Sequence, residues 1–414
     1  MTATATATLA AAVSATATVC ALVFGAPASA QSSQLAPVLQ GSSAEREESS
    51  ENSSTVDASS NEFSAGSSLL TGPLFTPLSS ASGSSADSTN SAGSASSEDL
   101  SSMDEDFIVG SDIDLGPEPK LLDIEKIEDG KEGSAGNYYE IKVWSPANKG
   151  IIRNSLILPE GGLDNTTPRP TVYLFAGAHG GNMGVNWHTE TDFEDYFADK
   201  NVNVVGLLGG TASMFADWHN DDPVAGRNQW VTYMGEELPQ VMEENFYDNG
   251  IDAIAGCSMG GAAALNVAKH YPERFKAAGS LSGYPAQSGI LGRAMVKGII
   301  NDADSSNLWG NLFDPAWQDN DPTWDPSAFG DTKLFVGTGW GLPTANEAAG
   351  DWTWGWFLET VSQYSSNYFY RKAQLAGLDV TRYQTVFGSH SYVNFEQELY
   401  AAWDQVFAEA LDVA

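Results

Sequence analysis

Five residues limit the fold of this chain more than any other feature. Gly256-Cys257-Ser258-Met259-Gly260 is a G-x-S-x-G sequence. It lies between an apolar run, Ile251-Asp252-Ala253-Ile254-Ala255, and a stretch of helical spacing from Gly260 to His270. Two glycines flanking a serine at a strand-to-helix junction permit a very sharp turn, because neither carries a Cβ to block the crossing. The serine hydroxyl is then presented at the helix N-terminus. This is the context of a nucleophile elbow, and such elbows sit on mostly parallel sheets.

The rest of the chain agrees with that sheet. Tyr138 to Trp144 alternates like a strand, and Ile151 to Leu158 reads as a second. Pro170 to Phe175 is a continuous apolar run that ends in Ala176-Gly177, as a strand buried on both faces does. Further strands are expected at Val202–Gly206, Ile251–Gly256, Ala277–Ser282, Thr332–Gly337 and Thr381–Val386. Helical spacing appears at Asp192–Asp199, Trp230–Tyr247, Gly260–His270, 366–377 and Phe395–Leu411. The alternation predicts a mostly parallel central sheet with helices on both faces, and a nucleophile elbow on such a sheet leads us to expect an α/β-hydrolase fold.

The first part of the chain has a different character. Residues 1–30 carry no charge, peak in Val19-Cys20-Ala21-Leu22-Val23-Phe24 and end in Ala28-Ser29-Ala30. That reads as a signal peptide with an A-x-A cleavage site, although the positive n-region is missing. A membrane anchor or a lipid-modified Cys20 fits less well. Residues 31–110 hold 25 serines, 12 acidic residues and one basic residue, Arg46. Such a stretch buries too little apolar surface to offset the entropy of ordering. We therefore read 31–114 as a disordered acidic Ser-rich spacer and 115–414 as one catalytic domain. The protein is expected to be secreted, in the cell envelope or extracellular, with no transmembrane segment in its mature form. The whole chain has 54 acidic against 19 basic residues. That balance argues against a nucleic-acid partner, which needs clustered Lys and Arg.

A serine nucleophile needs a base, and the base needs an acid to orient it. On this type of sheet the chain order is Ser, acid, His. Of five histidines, His179, His188 and His219 precede Ser258, and His270 lies too far along the following helix to fold back. His390 remains, in the loop Phe387-Gly388-Ser389-His390-Ser391-Tyr392. Glu347, Asp351 and Glu359 are all placed to be the acid, and composition does not choose among them. Two backbone N–H groups should face the developing oxyanion. One belongs to Met259, and the other to the loop Ala176-Gly177-Ala178-His179-Gly180-Gly181. Cys257, beside the nucleophile, reads as a small packing residue, with an oxidation-sensitive thiol as the alternative. No metal cluster or cofactor fingerprint is visible, and ester transfer by a triad needs no cofactor.

Four stretches of this chain resemble the mycolyltransferases of mycolic-acid bacteria, the antigen 85 proteins and their corynomycolyl relatives. They are Ser213-Met214-Phe215-Ala216-Asp217-Trp218, the Gly256–Gly261 region continuing through His270–Phe275 and Ser280–Gly283, the segment from Leu308-Trp309-Gly310 through Asp314–Thr323, and Gly388–Tyr392. The resemblance spans about residues 138–405. It implies that Glu359, in Phe357-Leu358-Glu359, is the acid and that Ala178 supplies the second oxyanion N–H. It also implies that His179, Trp187, Ser391 and Tyr392 bind substrate. One departure stands out. Ala176 and His179 occupy places where the family has a sugar-contacting Asp and Arg. Neither replaces a carboxylate or a five-donor guanidinium, so trehalose recognition is expected to be weaker or built differently.

The resemblance implies an acyltransferase that takes a mycolyl or corynomycolyl chain from a trehalose mycolate glycolipid donor. The acceptor would be a cell-wall polysaccharide such as arabinogalactan, a glycolipid, or an envelope protein. A secreted serine esterase and a non-catalytic wall-binding relative are the two rival readings.

Overall fold

The computed structural model describes residues 114–127, 137–182, 184–344 and 354–413. The expected signal peptide, all of the expected spacer but Asp114, and the candidate acids Glu347 and Asp351 lie outside them.

Among the described residues nine strands form one sheet: β1 Lys120–Lys126, β2 Tyr138–Ser145, β3 Gly150–Ile157, β4 Thr171–Phe175, β5 Asn203–Leu208, β6 Asp252–Cys257, β7 Phe275–Leu281, β8 Lys333–Thr338 and β9 Val380–Gln384. Their order across the sheet is β1-β2-β3-β5-β4-β6-β7-β8-β9. The pairings from β5 through β9 are parallel, and those of β1, β2 and β3 are antiparallel. This is the expected mostly parallel sheet. The helices used below are α1 Leu238–Phe246, α2 Met259–His270, α3 Ile290–Ile300, α4 Trp354–Leu375 and α5 Tyr392–Ala402.

Successive strand residues serve two cores, as the period of two requires. Tyr173, Phe175, Val205, Leu207, Ile254, Ala278, Leu334 and Val336 face one side. There they meet residues of α1, α2 and α3, with Phe369 and Ala373 of α4. Val172, Leu174, Val204, Ala253, Ala255, Cys257, Ala277 and Phe335 face the other. They pack against Trp187, Phe193, Phe197 and the C-terminal helical segment from Phe395 to Leu411. The central strands are thus apolar on both faces, which is why they read as continuous runs. Among the described residues no helix is long and apolar enough to cross a membrane.

Three elements differ from the sequence reading. β1 was not expected, because Lys120-Leu121-Leu122-Asp123-Ile124-Glu125-Lys126 is charged and largely exposed. Its interleaved charges suit an edge strand. α3 was also not expected. α4 starts twelve residues before the predicted 366, at Trp354. Its inward face is polar there: Ser362 and Ser366 donate to the Gly283 carbonyl at 3.0 and 3.3 Å, and Ser365 accepts from Ala286 N–H at 2.9 Å. A buried face made of serine leaves no apolar stripe to detect.

The N-terminal edge of the parallel strands is held by charge. Asp252, fully buried at the start of β6, accepts from the Arg274 guanidinium at 2.9 Å and from Thr171 N–H at 3.1 Å. The neighbouring Asp248 accepts from the Tyr173 hydroxyl at 3.0 Å. Burial, then the Asp248 charge, push the Asp252 carboxyl well above its ordinary range, and Arg274 opposes that push. Removing a partner from a buried pair strands the remaining charge. Arg274→Met is therefore expected to cost about 3 kcal/mol at pH 8. A carboxyl whose folded-state pKa is raised is penalised as pH rises past its unfolded value near 4, so the loss should shrink toward pH 5. Urea melts of both proteins across that range give the test, and a pH-independent difference contradicts it.

Candidate active site

The loops that follow β4, β6, β7, β8 and β9 leave the same edge of the sheet, because those strands are parallel. That edge is where open α/β sheets place their sites. The turn after β6 is the sharpest. Ser258 has φ 55 and ψ −121, a backbone conformation that L-residues rarely adopt. Its N–H donates to the Leu281 carbonyl at 2.9 Å, and its own carbonyl accepts from Gly261 N–H at 3.1 Å. The flanking glycines are required by contact. A Cβ on Gly256 would lie 2.3 Å from the Gly260 carbonyl oxygen, and one on Gly260 would lie 2.4 Å from that of Ala176. The half-buried Ser258 side chain stands at the N-terminus of α2.

Three side chains from distant parts of the chain meet in series. Ser258 Oγ lies 2.8 Å from His390 Nε2, and His390 Nδ1 lies 2.9 Å from Glu359 Oε2. Glu359 is fully buried, and only 7% of the His390 side chain is exposed. Glu359 comes from the second turn of α4, and His390 from the loop between β9 and α5. The Glu359 carboxylate also accepts from Gly339 N–H at 2.6 Å and from the Ser282 hydroxyl at 2.8 Å. The histidine loop is tied to the strand ends: Gly341 N–H donates to Gly388 O and Gly388 N–H to Leu342 O, both at 2.8 Å, and His390 N–H donates to Gly355 O at 3.2 Å. Tyr284, whose ring lies 5.6 Å from that of His390, brings its hydroxyl to 3.3 Å from His390 Nε2 and from the Leu358 carbonyl. The sequence reading did not single out Tyr284 or Ser282. Both flank Gly283: Ser282 lies inside a stretch that carries the resemblance but was given no role there, and Tyr284 lies just beyond it.

The loop after β4 lies directly against the nucleophile. A Cβ on Gly177 would be 3.6 Å from Ser258 Cβ. The loop is held from outside: Ala178 O accepts from Ala212 N–H at 2.8 Å, Gly180 O from Gly209 N–H at 2.7 Å, and His179 O from Thr211 Oγ at 3.0 Å. Met259 opens α2, so its N–H has no acceptor within that helix. The segments that carry the resemblance pack around these loops. Phe215 packs on Phe175 with ring centroids 4.6 Å apart, and Trp218 donates to Ser213 O at 2.8 Å. Trp309 and Trp317 meet edge to face at 5.1 Å, and the Arg293 guanidinium covers Trp317.

The four residues expected to touch substrate fall into different places. His179 is exposed on the loop, and Ser391 is half-buried at the start of α5. Trp187 is 3% exposed, with its indole N–H on the Phe175 carbonyl at 3.1 Å. Its ring meets that of Tyr392 edge to face at 5.4 Å. The Tyr392 hydroxyl turns inward to the Cys257 thiol and the Gly177 backbone. Trp187 and Tyr392 therefore pack beneath the loop after β4 and support it from within. Cys257 is buried, and that burial pushes its thiol well above the ordinary thiol range, which suits packing.

A methyl at position 260 has only main chain and the core side chain Phe175 to displace. Gly260→Ala is expected to lower stability by about 2–3 kcal/mol, a typical overpacking cost, read as a lower denaturation temperature. An unchanged melt would show that the crossing has slack.

Comparison with known proteins follows the same lines. A family model described as putative esterase matches residues 145–405. Diacylglycerol acyltransferase/mycolyltransferase Ag85A of Mycobacterium leprae is 30% identical over 187 residues, covering 42% of this chain and 56% of that protein. Diacylglycerol acyltransferase/mycolyltransferase Ag85C of Mycobacterium avium is 29% identical over 244 residues, covering 56% of this chain and 68% of its own. This chain thus spans a little over half the length of the first of these relatives. Among solved structures, Mycobacterium tuberculosis MPT51 matches with a TM-score of 0.54 and 23% identity, covering 64% of this chain and 96% of that one. That match shows the α/β-hydrolase fold. The chain belongs to the putative-esterase family, among relatives of the mycolyltransferase type.

Proposed function

We propose that this protein is an acyltransferase working through an acyl-enzyme on Ser258. The observation that carries the reading is the series Ser258–His390–Glu359, a half-buried serine backed by a nearly buried imidazole and a fully buried carboxylate. In this reading His390 Nε2 takes the Ser258 proton as Oγ attacks an ester carbonyl. Glu359 holds His390 Nδ1–H and stabilises the imidazolium. The N–H groups of Met259 and Ala178 receive the oxyanion, each worth about 3–4 kcal/mol of barrier. His390 returns the proton to the leaving alcohol. It then deprotonates the incoming acceptor hydroxyl, which takes the acyl chain from Ser258.

The relatives' names, mycolyltransferase, support a mycolyl chain as the group carried; a corynomycolyl chain and trehalose monomycolate as donor come from the sequence resemblance alone. The uncharged N-terminal stretch ending in Ala28-Ser29-Ala30 supports a secreted enzyme acting in the cell envelope. For the acceptor we weigh glycolipid, arabinogalactan and envelope-protein hydroxyls. Ala176 is 2% exposed and offers no polar group to a sugar, which supports an envelope-protein acceptor over a second trehalose glycolipid. A second reading, a secreted serine esterase that passes the acyl group to water, rests on the same triad and on the family description.

The experiment compares wild type with Ser258→Ala on trehalose monomycolate, with and without each acceptor. Wild type is expected to accumulate an acyl adduct on Ser258 and to label one acceptor. Ser258→Ala should lose at least about 10⁴-fold in turnover, as removal of a catalytic serine does. Release of free acid alone, whatever acceptor is present, selects the esterase. Equal turnover by both proteins overturns the triad.

A further inference from the structure

A second buried carboxyl group stands behind the candidate triad. Glu398, on α5, is fully buried, and its Oε1 lies 2.9 Å from the Ser282 hydroxyl. The same hydroxyl lies 2.8 Å from Glu359 Oε1. One serine therefore bridges two carboxyl groups. Asn394 Nδ2 approaches both Ser282 Oγ, at 3.1 Å, and Glu398 Oε1, at 2.7 Å. Its amide is oriented by Thr385, whose Oγ lies 3.2 Å from Asn394 Oδ1.

The protons in this cluster can be counted. A serine hydroxyl has one proton to donate and two lone pairs to accept with. If both carboxyls were ionised, that proton would serve only one of them. The other would hold a carboxylate oxygen against a hydroxyl lone pair inside hydrogen-bond distance. One carboxyl must bring a proton of its own. Glu359 accepts from Gly339 N–H and faces His390 Nδ1, both of which favour its ionised form. Glu398 has the Asn394 amide on Oε1, and its buried Oε2 has no hydrogen-bond partner among the described residues. Oε2 instead faces the backbone of β8, where a Cβ on Gly337 would come within 2.8 Å of it. An ionised oxygen with no donor is the costly arrangement in a buried site.

We propose that Glu398 is an un-ionised carboxylic acid and a positioning residue for the triad: its O–H donates to Ser282, whose hydroxyl donates to Glu359, which is thereby held against His390. The inference rests on the triad reading given above. The groups around Glu398 agree with it. Burial, then the Glu359 charge, push the Glu398 carboxyl well up, while Ser282, Arg382 and Asn394 oppose the push. Arg382 directs its guanidinium to the Val336 and Tyr383 carbonyls, Thr338 and Asn367. The other titratable neighbours are Cys257 and Tyr383, whose ionisation is disfavoured first by burial. Glutamine matches the proposed acid in shape and keeps a donor for Ser282, whereas leucine keeps the volume and loses the donor.

The test records infrared difference spectra of wild type against Glu398→Gln from pH 5 to pH 9, with kinetics on Glu398→Gln, Glu398→Leu and Ser258→Ala. We expect a carbonyl stretch of an un-ionised carboxylic acid in wild type at pH 7 that disappears in Glu398→Gln. Glu398→Gln should keep kcat within about threefold, and Glu398→Leu should lose about tenfold in kcat with KM unchanged, the mark of an interaction felt in the transition state. Absence of that carbonyl band at pH 7 overturns the proposal, and so does a Glu398→Gln protein that folds but is as inert as Ser258→Ala. Full turnover by Ser258→Ala would overturn the triad reading instead, and the band would still report the Glu398 proton.

Discussion

The crossing of β6 and α2 at Ser258 is the constraint on which the site depends. A non-glycine residue at φ 55 and ψ −121 costs of order 1–3 kcal/mol and persists only where its surroundings over-determine it. Here they do. Ser258 is pinned to β7 through Leu281, its carbonyl is taken by Gly261, and both flanking glycines are in contact with neighbouring main chain. The strain places a hydroxyl at a helix N-terminus with the loop after β4 pressed against it. Relaxing the turn would move the hydroxyl from His390 and from the loop after β4 at once.

Around that turn the buried polar groups form a connected chain. From Ser258 it runs through His390 and Glu359 to Ser282, and on to Glu398 and Asn394. Most links are hydrogen bonds between segments distant in sequence, so the network also joins the turn after β7 to α4 and α5. Such networks are stable when nearly every member is satisfied, because an unpaired polar group in this environment is costly. A single proton on Glu398 is the assignment that lets Ser282 satisfy both of its carboxyl neighbours. The opposite edge of the sheet uses the same physics for a different end: Arg274 pairs with Asp252, and the Tyr173 hydroxyl donates to Asp248. The two clusters sit at opposite ends of the parallel strands, one at the site and one away from it.

The segments most like the mycolyltransferases contribute architecture as well as chemistry. Phe215 and Trp218 brace the strand and loop that would carry an oxyanion N–H, and Trp309 and Trp317 pack against each other beneath Arg293. Trp187 and Tyr392, expected at the substrate, meet edge to face under the same loop, Trp187 buried and Tyr392 half-buried. A residue type that suits sugar binding suits packing equally well, and only its direction in space tells which use it has.

The sequence by itself determined the sheet, the elbow and the histidine. Strand periodicity, two glycines around a serine, and a single histidine in the right order are local signals, and each follows from backbone geometry that neighbours in the chain impose. The edge strand β1 and the first three turns of α4 escaped it, since a charged edge and a serine-lined buried face carry no apolar pattern. The choice of Glu359 needed the resemblance, because carboxylates a few residues apart are equivalent until a fold aims one of them at His390. The partnership of Ser282 with Glu359 and Glu398, and the inward turn of Tyr392, were decided only by the tertiary structure. They join residues 77 and 116 positions apart, and the burial that gives those contacts their energy does not exist until the helices close over the sheet.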